Sequence, residues 1–235
     1  MGNYQEMVST QKNAKNGFNN GVHQLYDPEE WKGERPGNAW GNIAAWAWGL
    51  SRGLDYLETD HRVDAKKVAV MGHSRLGKTA LWAGATDQRF ALVVSNNSGC
   101  TGAAFSRRRK LETIAAMNKR FGHWCCDNYK QYNDKESSLP VDQHQLLALI
   151  APRPVYVGSA SKDAYADGES EFLSCVYAGA VYELLGKKGL GTNTFPEINT
   201  PLHHGDIGYH LREGKHGLSM YDWNQYILFA NKYFQ

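Results

Sequence analysis

Trp40, Ile43, Ala44, Trp46, Ala47, Leu50, Leu54 and Leu57 recur three and four residues apart. With 3.6 residues per turn these positions share one face, so the spacing predicts an amphipathic helix over 40–58. The period then changes. Lys67-Val68-Ala69-Val70-Met71 is a short apolar run closed by Gly72, and similar runs follow at Phe90–Ser95, Pro154–Gly158 and Asp206–His210. Helical spacing separates these runs at 75–86, near 109–119, near 142–150 and over 168–186. A loop rich in Trp, Cys and Tyr precedes 142, and a last helix is predicted over 220–234. Strands that are apolar without alternation are covered on both faces, which calls for a parallel sheet between helices. The predicted fold class is α/β, with a mostly parallel sheet in a three-layer arrangement. The pattern contains no repeats and no low-complexity linker, so 39–235 reads as one domain. Residues 1–38, polar and rich in Asn, Gln and Gly, read as an irregular amino-terminal segment.

Composition narrows the function classes. The chain has 235 residues, 42% hydrophobic and 21% charged, as in an ordinary globular domain. Twenty-six Lys and Arg against 24 Asp and Glu leave a net charge of +2. Near-balance excludes nucleic acid and an anionic membrane as main partners, since either needs a basic stripe. The Arg107–Lys110 run is too short to supply one. No apolar stretch approaches the roughly 20 residues that span a bilayer. The start lacks a signal-peptide pattern, and Met7 stands where a myristoylation signal needs Ser or Thr. A mature exported chain has lost its leader, so this start leaves export open. Cys125 and Cys126 are adjacent, Cys100 and Cys175 are isolated, and no C-x-x-C pair occurs. All four are expected as thiols, without a structural zinc. His203 and His204 lie near Asp206, but adjacent side chains diverge, so no metal is expected there, nor any cofactor.

The most informative segment is Val68-Ala69-Val70-Met71-Gly72-His73-Ser74-Arg75-Leu76-Gly77-Lys78-Thr79. A buried strand runs through Gly-His-Ser directly into a helix, the context of a nucleophile elbow. The helix N-terminus beyond Ser74 suits an oxyanion. The usual second glycine is displaced by one position, giving G-x-S-x-x-G. The same residues match the phosphate-loop pattern G-x-x-x-x-G-K-T, but neither later apolar strand ends in the Asp that such a site uses. Asp163, just past the strand ending at Gly158, is the candidate acid, with Asp167 better placed to cap the next helix. His216, in a loop between two glycines before the last helix, is the candidate base. The order Ser, acid, His is that of an α/β-hydrolase. His73 reads as a residue that packs or donates one hydrogen bond and is not the base, since the turn directs it away.

Gly72-His73-Ser74-Arg75-Leu76-Gly77-Lys78 resembles the G-[CH]-S-R-x-G-K signature of the glucuronoyl esterases, carbohydrate esterase family fifteen. The segments Ala44–Gly49, Ser98–Ala104, Phe121–Trp124, Ala151–Pro154 and Gly214–His216 also resemble that family. The resemblance implies an α/β-hydrolase fold and a secreted or periplasmic enzyme. Its substrate would be the ester joining 4-O-methyl-glucuronic acid on glucuronoxylan to a lignin alcohol. It implies Ser74 as nucleophile, His216 as base, Arg75 at the oxyanion, and Lys78, Glu112, Tyr165 and Trp124 at the substrate. The chain departs from the family in three ways. Many members carry their acid as Glu where Asn97 stands, so the role falls to Asp163. A sugar-stacking Trp corresponds to Tyr165. Few strand-forming residues precede Ser74, so the chain reads as the carboxy-terminal portion of the fold. Two other readings stay open. An acetyl esterase acting on xylan would need no residues for uronate hydroxyls, and a non-catalytic carbohydrate-binding remnant would use the aromatic residues for stacking. Lys78 and Glu112 could also pair with each other as a structural salt bridge.

Overall fold

The computed structural model describes residues 21–31, 34–108 and 110–235. Helices α1 (Gly21–Tyr26) and α2 (Asn42–Thr59) precede strand β1 (Ala69–His73) and helix α3 (Arg75–Thr86). Strand β2 (Leu92–Asn96), helices α4 (Ile114–Phe121) and α5 (Gln143–Ala148), and strand β3 (Val155–Ala160) follow. Helix α6 (Gly168–Leu184), strand β4 (Ile207–Arg212) and helix α7 (Met220–Ala230) complete the order. The four strands pair in parallel in the order β1-β2-β3-β4.

The side chains of each strand alternate between two apolar layers. Val70, Val93, Val155, Val157 and Ile207 meet Leu81, Leu147, Phe172 and Tyr182 from α3, α5 and α6. Leu92, Val94 and Tyr156 meet Tyr226 and Phe229 of α7 on the opposite face. Val93, Val155, Val157 and Ile207 are fully buried, each contributing roughly 1.5–3 kcal/mol relative to exposure. Because both faces are covered, the strands read as unbroken apolar runs. The result is the expected three-layer α/β architecture, with α2 packed outside α3.

Each strand runs about two residues further than its apolar run. Pairing continues through His73↔Asn96, Asn96↔Gly158 and Gly158↔His210, so polar residues at the carboxyl ends stay in register. Helix α4 starts at Ile114 and not near 109, because the Thr113 side chain caps it by accepting from Ala116 N–H (3.1 Å). Glu112 therefore lies on the preceding loop. The described part of the amino-terminal segment, residues 21–31 and 34–38, carries a helix and buried contacts that its composition does not suggest. His23 is buried, with Nε2 2.9 Å from Asn42 Oδ1 and its ring 4.5 Å from that of Trp40. Residues 1–20 lie outside the described residues. Cys100 and Cys175 are buried thiols, while Cys125 and Cys126 are half-buried.

Candidate active site

Strand β1 ends at His73 and α3 begins at Arg75, so Ser74 alone makes the turn. Its backbone adopts φ 58° and ψ −125°, a region L-residues rarely enter. A Cβ on Gly72 would lie 1.8 Å from the Leu76 carbonyl oxygen, so the turn accepts only glycine there. A Cβ on Gly77 would lie 3.0 Å from both Ser95 Oγ and Ser98 Cβ, which lets α3 approach the β2 exit. The displaced glycine thus serves helix–strand packing, while Leu76, at the usual glycine position, points into open space at 39% exposure. The phosphate-loop pattern is accidental. Gly72 and His73 belong to the strand and Gly77-Lys78-Thr79 to the helix, so no open loop of amides remains to cradle a phosphate.

Three loops bring the candidate chemistry together at the carboxyl end of the sheet. His216 Nε2 lies 3.0 Å from Ser74 Oγ, and His216 Nδ1 lies 2.5 Å from Asp163 Oδ2. A carboxylate can only accept, so Nδ1 carries the proton and Nε2 offers its lone pair to the serine. The Asp163 bond comes first among the influences that raise the His216 pKa above the ordinary imidazole value. Burial would raise the Asp163 pKa, but the bonds from His216 and Asn97 outweigh it and hold the carboxyl below its usual range. Asn97 donates from Nδ2 to Asp163 Oδ2 at 2.8 Å, and Ala166 N–H meets Oδ1 at 3.3 Å. The Asn that stands in place of an acid thus supports the acid in the loop after the neighbouring strand.

Arg75 is half-buried, its guanidinium 5.2 Å from the Trp124 ring centroid and 5.7 Å from that of Phe121. Those two rings stack face to face at 4.0 Å. No hydrogen bond or ion pair engages the Arg75 guanidinium among the described residues, so its donors are unspent beside the serine. Trp124 is itself buried and forms the floor beneath Arg75. Tyr165, two residues past Asp163, is 57% exposed.

Lys78 and Glu112 pair with each other at 3.1 Å. The Lys78 ammonium also donates to the carbonyl oxygens of Ser98 (2.6 Å) and Cys100. All three of its N–H groups are used, and the residue is buried. Lys78 therefore has no donor to offer a sugar in this arrangement, and the structural ion pair is what the geometry contains. Glu112 Oε2 also accepts from Cys100 N–H (3.0 Å), while Oε1 is unpaired among the described residues. Lys78→Ala would strand this carboxylate and two carbonyls, at a cost of roughly 2–4 kcal/mol. The expected result is a lowered melting temperature with equal losses on a glucuronoyl ester and on an aryl acetate. A loss confined to the glucuronoyl ester, with melting unchanged, would instead assign Lys78 to the sugar.

A family model described as glucuronyl esterase of fungi matches residues 4–186. The chain belongs to the glucuronoyl esterase family. A curated relative, carbohydrate esterase MZ0003 from an unknown prokaryotic organism, is 55% identical over 212 residues, covering 90% of this chain and 49% of the relative. The 4-O-methyl-glucuronoyl methylesterase of Schizophyllum commune is 37% identical over 153 residues, covering 61% of this chain and 39% of its own length. Among solved structures, the glucuronoyl esterase from Solibacter usitatus superposes with a TM-score of 0.87 at 50% identity, covering 92% of this chain and 54% of that one. The chain spans about half the length of the relatives it matches, or less. The family-model match ends at residue 186, short of His216, whose loop the structure places beside Ser74.

Several residues around this candidate site leave no signal in the sequence motifs. Arg212 Nη2 donates to the carbonyl oxygens of Lys215 (3.0 Å) and Gly217 (2.6 Å), on either side of His216. Buried Asp222 clamps Arg212 at 2.7 Å and also accepts from Ser219, His210 and Asn96. The bonds from His210 and Ser219 outweigh burial and lower the Asp222 carboxyl to about 2. His73 does not turn away from the site. Its Nδ1 lies 2.6 Å from Asn96 Oδ1, and its ring rests 4.6 Å from the His216 ring. Burial, opposed by that Asn96 bond, keeps the His73 pKa low, so a neutral ring flanks the base. The signal available in the sequence was the polar end of each strand, at Asn96, His210 and Arg212. No group of three or more His, Cys, Asp or Glu among the described residues could hold a metal. No helix among them is long and apolar enough to cross a membrane.

Proposed function

We propose that the chain is a serine esterase hydrolysing glucuronoyl esters, in particular the ester between 4-O-methyl-glucuronic acid of glucuronoxylan and a lignin alcohol. The observation that carries the reading is the line Ser74–His216–Asp163 beside the unspent Arg75 guanidinium. The names of the fungal relatives, 4-O-methyl-glucuronoyl methylesterases, supply the acyl group. The line also speaks against the remnant reading, since a binding module has no use for it.

In this scheme Ser74 Oγ attacks the ester carbonyl as its proton passes to His216 Nε2. Asp163 stabilises the resulting imidazolium, and Arg75 meets the developing oxyanion over the Trp124 ring. His216 returns the proton to the departing alcohol. It then activates a water that releases glucuronate and frees Ser74. The free Oε1 of Glu112 and the exposed ring of Tyr165 are assigned to the uronate hydroxyls and sugar face. Such a substrate belongs to cell-wall polymer, so the proposal has the chain act outside the cell or in the periplasm.

The base must be neutral before attack, so kcat/KM rises with pH as His216 loses its proton. Because the Asp163 bond raises that pKa, the expected midpoint of the acid limb lies above 6.5. An acid limb centred well below that value would remove His216 as the base. The acetyl-esterase alternative is tested by substrate choice. Acid release from benzyl glucuronate, measured beside acetate release from acetylated xylan, is expected to show the higher kcat/KM. A preference for acetylated xylan would transfer the assignment to the acetyl esterase.

A further inference from the structure

Glu171, on the first turn of α6, has no task in the acyl-transfer scheme, yet it is fully buried next to the site. Its Oε1 accepts from Ser98 N–H (2.8 Å), Gly99 N–H (3.0 Å) and Ser98 Oγ (3.1 Å), and its Oε2 accepts from Ser159 Oγ (2.6 Å). No cation pairs with it among the described residues. Every one of these contacts leads toward the chemistry. Ser98 follows Asn97, whose amide reaches Asp163, and the Ser98 carbonyl holds Lys78. Gly99 packs so closely on Glu112 that a Cβ there would lie 2.5 Å from the carboxylate oxygen. Ser159 lies on β3, the strand that leads into Asp163.

We propose that Glu171 is a positioning residue of the esterase site, joining the exits of β2 and β3 to α6 and holding a negative charge behind the Asp163–His216 pair. A carboxylate buried without a cation is costly, and four donors are needed to offset it. The backbone N–H groups of Ser98 and Gly99 can only donate. The Ser98 hydroxyl oxygen is itself engaged by Ala103 N–H (2.8 Å), so its proton also points to Glu171. A proton on Glu171 would sit on Oε2 and reverse just the Ser159 bond. Burial, opposed by these hydrogen bonds, pushes the Glu171 carboxyl up to about 7, so the charge is held near its limit. Asp163, the Ser74 hydroxyl and the His73 ring touch His216, with Asn97 behind Asp163, and the charges of Glu112 and Glu171 act on it from further off. Glu171 adds to what Asp163 does in raising the proton affinity of His216. Glu171 faces Ser98, Gly99 and Ser159, and its charge acts on Tyr209 from β4, Tyr226 from α7 and Cys175 from its own helix. Burial keeps both phenols and the thiol protonated.

The role takes its purpose from the esterase reading, whereas its test needs no turnover. The 235-residue chain with carbon-13-labelled histidine is titrated by NMR, and the His216 signal is assigned by its absence in His216→Gln. Glu171→Gln keeps every hydrogen bond, with its amide N–H2 donating to Ser159, and removes only the charge. The His216 midpoint is expected to fall by about 0.5 pH unit or more. Ser159→Ala leaves the loop bonds in place and removes one of the four donors that hold the carboxylate ionised, the one on Oε2. It should move the midpoint in the same direction, and it decides alone if Glu171→Gln does not fold. A midpoint unmoved within about 0.2 pH unit in the folded variants would overturn the proposal and leave Glu171 as an anchor for its loop.

Discussion

Ser74→Ala is expected to lower ester hydrolysis by about five to six orders of magnitude in kcat, with the melting temperature unchanged. The side chain has one polar contact among the described residues, the bond to His216 Nε2 at 3.0 Å. Its loss leaves no buried group stranded, since that nitrogen lies on the open side of a half-exposed imidazole. The backbone strain at φ 58° stays, because alanine meets the same steric limits as serine. What survives is the modest help of Arg75 and substrate binding toward direct attack by water. Activity within tenfold of the parent, measured on an active-site-independent protein concentration, would remove Ser74 as the nucleophile.

Asp163→Asn should have the next largest effect, roughly three to four orders of magnitude in kcat. The carboxylate accepts both the His216 Nδ1 and the Asn97 Nδ2 bonds at Oδ2, while Oδ1 faces the Ala166 N–H. An amide at 163 has one oxygen and one N–H2. The oxygen can keep both bonds only with the N–H2 turned against the Ala166 N–H; when the N–H2 takes the Oδ2 place instead, it faces His216, whose Nδ1 must then accept. The imidazole proton moves to Nε2, where it points at Ser74 and blocks proton removal. The imidazolium formed during attack also loses its counter-charge. The acid limb should shift to lower pH in this variant, because the Asp163 bond leads the causes that raise the His216 pKa. A variant that kept full turnover with an unshifted limb would show that the acid lies elsewhere, with Glu171 the first residue to test.

The apolar runs revealed the sheet because both its faces are covered, and Val70, Val93, Val155 and Ile207 are buried where the runs predicted. They could not reveal where the strands end. Parallel pairing continues past the last apolar side chain into Asn96, His210 and Arg212, and hydropathy falls just where the site begins. Ser74, Asp163 and His216 were legible because each occupies a place fixed by topology, at a strand end before a helix or loop. The supporting groups were not legible. Arg212 reaches around His216 through carbonyl groups, and Asp222 joins β4 to α7; neither relation leaves a sequence spacing. Lys78 keeps two readings in the sequence for a related reason. Only the path of residues 98–100 shows that carbonyl oxygens already hold its ammonium. Asn97 was read as a missing acid, whereas its amide lies 2.8 Å from the Asp163 carboxylate that stands in.

The claim that Ser74 carries the acyl group is tested most directly by trapping it. The chain is mixed with benzyl glucuronate, quenched in acid within the first turnover, digested and mapped by mass spectrometry. The account predicts benzyl alcohol release together with one glucuronoyl group in ester linkage on the peptide containing Ser74, and neither in Ser74→Ala. Benzyl alcohol release with the Ser74 peptide unmodified at every quench time, a glucuronoyl group on another residue, or no release at all would contradict it.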